Sequence, residues 1–199
     1  MSTRALLVVD VQVDFCPGGK LPVPHGDAVV VPLNRYIDLC HRRGYPIIAS
    51  RDWHPPRSKH FRDYGGTWPE HCVQGTQGAS FHPLLRLAPE TIVVSKGMDP
   101  ERDGYTAFHG VDPQGRFLAD VLRKEMVQEV LVGGLATDYC VKESVLDALD
   151  QGFAVRLLTD AIQGIEVLPG DNERAITEMI NRGAIPSTFD ELELEILVP

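Results

Sequence analysis

The chain has 199 residues, 43% of them hydrophobic and 24% charged, which is the composition of a folded globular protein and argues against a disordered one. Its formal net charge of −9 and its scattered basic residues argue against a nucleic-acid partner, which would need a basic stripe. A chain of this length can bury its own hydrophobic core, so we predict a single domain over residues 1–199.

The amino terminus and the cysteines predict a cytoplasmic protein without membrane contact. The first residues have neither the long apolar segment nor the cleavage site of a signal peptide, and the charge of Asp10 comes too early for a membrane span. The four cysteines are widely spaced and form no CxxC pair: Cys16, Cys40, Cys72 and Cys140. An even number allows two disulfides, but without a secretion signal free thiols are favoured.

The first quarter of the chain predicts a strand, a helix and a second strand. Residues 5–11 are almost continuously apolar, as in a strand that is buried on both faces. Helical periodicity follows between Asp27, a candidate cap, and Gly44, which ends the helix. Residues 45–50 form the second predicted strand.

Residues from about 51 to 89 lose this periodicity and are rich in tryptophan, histidine, proline and glycine. Loops this long are uncommon in compact domains and are usually functional. The candidate metal ligands in the loop are one carboxylate with two or three imidazoles, Asp52, His54 and His71 with His60. Such a set is a plausible site for Zn²⁺, Mn²⁺ or Fe²⁺. The alternative is a group of ordinary loop histidines that are hydrogen-bonded to the backbone.

The rest of the chain returns to alternating elements. The predicted strands are 91–95, 130–135, 154–158 and a short one at 184–186, with one helix ending at Gly152 and another over 172–181. Short β-branched strands alternating with helices are typical of a parallel sheet covered by helices. We therefore predict an α/β fold with a doubly wound, mostly parallel sheet flanked by helices.

Four chemically reactive side chains lie just beyond the carboxyl ends of predicted strands: Asp10, Asp52, Lys96 and Cys140. The carboxyl ends of parallel strands meet at one edge of the sheet, where the strand-to-helix loops bind ligands. Each residue alone has an ordinary interpretation, such as a turn aspartate or a solvated lysine. Together they predict a site in which Asp10 and Lys96 form a buried ion pair.

Cys140 lies in the segment Gly-Gly-Leu-Ala-Thr-Asp-Tyr-Cys over residues 133–140. Thr137 or Asp138 can cap the following helix, which places the cysteine in its first turn. The positive end of that helix and Lys96 are expected to lower the thiol pKa, and free backbone amides can hold an oxyanion. The alternative is that Cys140 is a small buried hydrophobic residue.

Five segments in this order and spacing resemble the nicotinamidase/pyrazinamidase branch of the isochorismatase-like hydrolases. They are residues 5–15, 50–55, 67–76, Lys96 with 103–108, and 134–140. The resemblance covers nearly the whole chain and implies a Rossmann-like fold of three layers. One departure is Val13, where an asparagine is often found.

The resemblance also implies roles for individual residues. Asp10, Lys96 and Cys140 would form the catalytic triad, and the amides of Ala136 and Cys140 the oxyanion hole, with a cis peptide between Leu135 and Ala136. Asp52, His54 and His71 would bind the metal, and His60 resembles a fourth ligand that only some members have. The residues that would surround the pyridine ring are Phe15, Leu21, Trp68 and Tyr105.

The implied activity is hydrolysis of nicotinamide to nicotinate and ammonia through a cysteine thioester, in NAD salvage. Pyrazinamide would be a second substrate. The cofactor would be one divalent ion, with zinc favoured over manganese or iron. The expected partner is a small amide, and the oligomeric state is left open, with a homo-oligomer as one option.

Three alternatives compete with this interpretation. A metal-free cysteine amidohydrolase acting on carbamoyl or ureido compounds would not need Asp52, His54 and His71. Isochorismatase itself has no nucleophilic cysteine. A catalytically silent member would bind a small ligand without retaining all the reactive residues.

Overall fold

A parallel sheet of six strands forms the centre of the protein, whose computed structural model describes residues 3–197. The strands are β1 (Thr3–Val9), β2 (Ile47–Asp52), β3 (Ile92–Lys96), β4 (Val127–Leu135), β5 (Ala154–Gln163) and β6 (Ile185–Ser187). Their order across the sheet is β3-β2-β1-β4-β5-β6, and every neighbouring pair is parallel. The predicted fold class is confirmed, with a sheet that is parallel throughout.

Helices cover both faces of this sheet. They are α1 (Val30–Arg43), α2 (Leu118–Lys124), α3 (Lys142–Asp150), α4 (Asp171–Asn181) and α5 (Phe189–Leu197). One apolar core joins the sheet to α1 and α5, and a second joins it to α2, α3 and α4. Successive residues of β1 enter opposite cores, because side chains alternate along a strand. This explains why β1 is apolar at nearly every position.

Most predicted elements are present, with shifted ends. β1 ends at Val9, and β5 continues to Gln163. Asp27 lies in a 3₁₀ turn and does not cap α1, which begins at Val30. Gly44 ends α1 as predicted, since its φ of 66° is a left-handed conformation that favours glycine.

Two helices of the structure, α2 and α5, were not predicted from the sequence. α2 has only seven residues, so it contains less than two turns of apolar periodicity. α5 has four acidic residues among its nine, and its apolar residues Phe189, Leu192 and Ile196 pack toward the core that includes α1. α2 has Phe117 at its N-cap and therefore no cap signal, whereas α5 follows Thr188, whose amide donates to Glu191 Oε2 at 2.8 Å in a capping-box pattern that the prediction overlooked.

The connections place a topological switch point between β1 and β4. The chain leaves β1 toward β2 through α1 on one face, whereas it reaches β4 from β3 through α2 on the other. Ligands of open α/β sheets bind in the crevice that such a reversal opens at the carboxyl ends of the strands. Across residues 3–197, no helix has the length and apolarity needed to span a membrane.

The long loop between β2 and β3 contains only short regular pieces. The structure describes all of residues 53–91, which form two 3₁₀ turns, Arg62–Tyr64 and Gln77–Ala79. Isolated β-bridges also pair His54 with Val73 and Phe61 with Trp68. All four cysteines of the chain are buried free thiols, as predicted. The single-domain interpretation stays a prediction, which one continuous sheet supports.

Candidate active site

Lys96, the last residue of β3, lies at the centre of a buried cluster at the carboxyl edge of the sheet. Its Nζ lies 2.8 Å from Asp10 Oδ2 and 2.5 Å from Asp52 Oδ1. The ammonium also donates to the carbonyl oxygen of Gly104 at 2.8 Å and to Cys140 Sγ at 3.4 Å. The side chain is buried, so an uncompensated charge there would be costly. The four reactive residues predicted at strand ends therefore meet around one ammonium group.

Asp10 follows β1 with a φ of 49°, an uncommon conformation for a residue other than glycine. Its Oδ1 accepts a hydrogen bond from Ser50 Oγ at 2.7 Å. Its Oδ2 faces Lys96 outside hydrogen-bond geometry and has no other hydrogen-bond donor among residues 3–197. One carboxylate oxygen of Asp10 lies within 4.8 Å of Cys140 Sγ. Asp10 is thus placed to exchange a proton with the thiol.

The two carboxylates beside Lys96 differ in electrostatics. Burial raises the pKa of Asp10, although the charge of Lys96 opposes the shift. Burial also acts on Asp52, but Lys96 and the neighbouring histidines outweigh it and hold the pKa of Asp52 below its usual range. For Lys96 itself, burial opposes the charge, yet the two carboxylates raise its pKa well above the usual value. One carboxylate is therefore fixed as an anion while the other is poised to take up a proton.

Cys140 departs from the sequence expectation. It lies in a single π-helical turn, Thr137–Val141, in which neither Thr137 nor Asp138 caps the helix. Burial and the two nearby carboxylates raise the pKa of the Cys140 thiol well above its usual value, although Lys96 opposes the shift. The expected lowering was wrong because burial of the thiol outweighs the helix end and the lysine. The predicted cis peptide between Leu135 and Ala136 is present.

Asp52 connects the Lys96 cluster to a group of histidines. Its Oδ2 lies 3.6 Å from His54 Nε2 and 3.8 Å from His71 Nε2. Gln12 holds the Asp52 backbone on both sides, since its Oε1 accepts from the Asp52 amide at 2.7 Å and its Nε2 donates to the Asp52 carbonyl at 2.8 Å. Gln12 is fully buried and was not singled out from the sequence.

The three histidines form a compact cluster suited to a cation. One ring nitrogen from each of His54, His60 and His71 lies within 4.8 Å of the other two. Each ring also uses Nδ1 for a protein acceptor. His54 contacts Gly97 O at 3.0 Å, His60 contacts Asp103 Oδ1 at 2.6 Å and His71 contacts Pro69 O at 2.8 Å.

Because each Nδ1 faces an oxygen acceptor, the neutral form of each ring carries its proton on Nδ1 and presents the lone pair of Nε2 to a metal. His54 Nε2 is buried and has no hydrogen-bond partner among the described residues. Burial lowers the pKa of His71 to about 4 and also lowers that of His60, so both rings are neutral and can donate electron pairs. The residues therefore fit a divalent ion held by imidazole and carboxylate.

A small cavity opens beside Cys140, His60 and His71. Its lining includes the four residues that the resemblance implied, together with both backbone positions of the implied oxyanion hole: Phe15, Leu21, Trp68, Tyr105, Ala136 and Cys140. Trp68 Nε1 donates to Tyr105 Oη at 2.9 Å, which orients both rings. Tyr139 and Ile165 also line the cavity. Sequence reasoning missed both as pocket residues, and for Ile165 no sequence pattern indicated the role.

Comparisons with known proteins agree with this geometry. Residues 4–191 match the isochorismatase domain family. The nicotinamidase of Escherichia coli (strain K12) is 43% identical over 97% of this chain and 98% of its own length. The crystal structure of the Pyrococcus horikoshii pyrazinamidase in complex with zinc is 45% identical, with a TM-score of 0.87 over 94% of this chain and 99% of that chain. The structure of PnC1 from L. infantum in complex with nicotinate is 32% identical, with a TM-score of 0.84 over 96% of this chain and 94% of that one.

The family match covers all six strands and the residues around Lys96, and these relatives are matched over nearly their full length. The resemblance seen in the sequence is therefore confirmed. The chain belongs to the isochorismatase family, in the branch that contains these nicotinamidases and pyrazinamidases.

Proposed function

We propose that this protein is a nicotinamidase, which hydrolyses nicotinamide to nicotinate and ammonia and also accepts pyrazinamide. The observation that carries the proposal is the contact of Lys96 with Asp10 and Cys140 at the base of an aromatic cavity. The similarity to nicotinamidases and a pyrazinamidase supports the choice of substrate. The physiological setting would be NAD salvage.

In the proposed mechanism Cys140 is the nucleophile and Asp10 the general base. Asp10 accepts the thiol proton, and Lys96 stabilises the resulting thiolate. The sulfur attacks the amide carbon, and the amides of Ala136 and Cys140 stabilise the oxyanion. Asp10 returns the proton to the leaving nitrogen, and the C–N bond breaks to release ammonia and leave a thioester.

The second half of the reaction regenerates the enzyme. Asp10 takes a proton from water, and the oxygen attacks the thioester carbon. The C–S bond breaks, the Cys140 sulfur regains a proton, and nicotinate leaves. The raised pKa of Asp10 suits this role, since the same carboxyl must accept and return a proton in each half.

The aromatic walls would hold the ring of the substrate. Phe15, Leu21, Trp68 and Tyr105 form mostly apolar surfaces around the cavity. Apolar walls with a few directed polar groups are typical of small-molecule sites. The expected partner is therefore a small aromatic amide.

Asp52, His54 and His71 would hold one divalent ion, with His60 as a fourth ligand and zinc favoured over manganese or iron. A relative of this chain was crystallised with zinc, and the imidazoles oriented by their Nδ1 contacts support the assignment. When bound, the ion would supply a Lewis-acidic position for the nitrogen of a pyridine ring. The histidine cluster also disfavours the metal-free amidohydrolase that acts on carbamoyl compounds, which would have no use for it. Cytoplasmic location and homo-oligomer formation stay predictions.

The proposal is tested by measuring ammonia release from nicotinamide, pyrazinamide, benzamide and an N-carbamoyl amino acid. We expect rapid turnover of the first two, slower turnover of benzamide because it lacks the ring nitrogen, and none of the carbamoyl compound. Activity confined to the carbamoyl compound, or no activity with any amide, would contradict the proposal.

A further inference from the structure

Residues 164–170 form a loop between β5 and α4 that covers one side of the cavity, and we call it the 164–170 cover. Ile165 is the cover residue that lines the cavity. Val167 and Leu168 of the same loop are 58% and 63% exposed. Apolar packing therefore contributes little at the tip of the cover, and polar contacts must hold it in place.

Asp138 supplies the principal contact. Its Oδ1 accepts a hydrogen bond from the Ile165 amide at 2.9 Å, and its Oδ2 accepts one from the Glu166 amide at 2.8 Å. Asp138 is 9% exposed and lies two residues before Cys140. Both oxygens of one carboxylate thus bind consecutive amides of a loop that is 27 and 28 residues away in sequence.

The backbone that Asp138 holds is in an uncommon conformation. Glu166 has a φ of 55°, which is unfavourable for a residue with a side chain and persists only where surrounding contacts impose it. At the other end of the cover, the Glu166 side chain accepts from the Gly170 amide at 2.9 Å and from Asn172 Nδ2 at 3.0 Å. The Asp138 contacts are those that fix the part of the cover bearing Ile165.

The other cavity walls are held differently. Trp68 is hydrogen-bonded to Tyr105 and packs edge-on against Tyr139, with ring centroids 5.0 Å apart. Phe15 packs against the ring of His71. These walls are braced by side chains of the site itself, whereas Ile165 packs against the core that includes α1 and its backbone is held by a carboxylate outside the cavity lining.

We propose that Asp138 is a positioning residue that fixes the Ile165 wall and so limits the size of the aromatic amide that the cavity accepts. The role rests on the proposed function, because it concerns the same cavity. The charge-assisted hydrogen bonds of Asp138 set substrate affinity and selectivity, and the chemistry at Cys140 does not require the Asp138 carboxylate.

The test compares Asp138→Asn with wild type on nicotinamide and on its ring-methylated derivatives. Asparagine keeps the side-chain volume but presents an NH₂ group to one of the two amides, so one hydrogen bond is lost and a donor faces a donor. Loss of a hydrogen bond to a charged group predicts a KM for nicotinamide raised about tenfold, with kcat changed less than about threefold. The ratio of kcat/KM for at least one methylnicotinamide to that for nicotinamide should rise, and Ile165→Ala should raise the same ratio.

Asp171→Asn is the matched control. Asp171 accepts from the Leu168 amide at 2.7 Å, so this variant removes a carboxylate contact with the cover but none with Ile165. We expect its KM and selectivity to equal those of wild type. An Asp138→Asn enzyme with unchanged KM and selectivity, or one that loses kcat alone, would overturn the proposal.

Amide hydrogen exchange separates this proposal from the proposed function, because it needs no turnover. In Asp138→Asn the amides of Ile165 and Glu166 should exchange faster, while those of β4 keep their protection. Unchanged exchange at both amides overturns the positioning role even in an active enzyme. If wild-type protein turns over no nicotinamide, but the amides of Ile165 and Glu166 still exchange faster in Asp138→Asn than in wild type, only the proposed function is contradicted.

Discussion

Asp10 and Asp52 are the same side chain in two different environments, and the difference is visible only in three dimensions. Both positions could be predicted as strand-end residues from the apolar segments before them. The contact of Asp52 Oδ1 with Lys96 could not, because side-chain direction after a strand depends on the loop that follows. Burial of Cys140 was considered only as the alternative to a reactive thiol, so the expected direction of its pKa shift was wrong.

Removal of the nucleophile is the first prediction at this scale. Cys140→Ala should lower kcat for nicotinamide by about 100-fold or more, because the thioester can no longer form. Nicotinamide binding, measured by calorimetry, should be retained. Cys40→Ala is the control, since that thiol is buried in α1 away from the cavity. Wild-type turnover by Cys140→Ala would exclude the covalent mechanism.

Lys96 and Cys140 should behave as one unit. Lys96→Met should reduce kcat about as much as Cys140→Ala, because the ammonium contacts both Asp10 and the sulfur. The double variant should then be little slower than either single variant in a double-mutant cycle. A strictly multiplicative loss would show that the two residues act independently.

At the scale of elements, the sequence predicts most where apolar periodicity is long. The strands and α1 have clear patterns, and the absence of any pattern predicted the long loop before β3. The pocket residues Tyr139 and Ile165 lie in a turn and a loop, where contacts across the fold decide which side chain faces the cavity. Such contacts leave no periodic signal in one sequence.

The next prediction concerns metal binding by the loop between β2 and β3. Purified protein should contain about one divalent ion per chain, and chelation should remove it together with most of the activity. His71→Ala should raise the KM for nicotinamide strongly, since a misplaced ring also misplaces the amide carbon. His60→Ala should have a smaller effect if that residue is an auxiliary ligand.

His41→Ala is the matched control for these variants, because His41 is exposed and pairs with Glu90 outside the cluster. Metal content by mass spectrometry and KM by ammonia release are the two measurements. Full activity in protein shown to be free of metal would refute the assignment of the loop.

At the scale of the whole molecule, charged residues that support the sheet lie at the edge opposite the candidate site. Glu129 near the start of β4 contacts both Arg4 of β1 and Arg156 of β5, and Arg156 also contacts Glu195 of α5. Reactive residues lie at the carboxyl ends of the strands. The order of the strands could not be predicted from the sequence, because it depends on which face each connection crosses.

Glu129→Gln should therefore affect stability and not catalysis. The variant weakens charge-assisted hydrogen bonds to two mostly buried arginines, so the free energy of unfolding should fall by about 2 kcal/mol. Urea unfolding and kcat/KM for nicotinamide are the measurements. A large loss of kcat/KM in the folded variant would contradict this separation.

The two oxygens of Asp52 face different groups, because Oδ2 lies toward the histidine cluster and Oδ1 contacts Lys96, so both sites use the same carboxylate. Two sites that draw on one anion are thermodynamically linked, and the linkage is reciprocal. Lys96→Met should tighten Zn²⁺ binding, measured by competition with a chelator, because the full charge of Asp52 then faces the histidines. By the same factor, an ion bound at the histidines would weaken the contact of Asp52 with Lys96 and leave the Lys96 ammonium more available to Asp10 and Cys140.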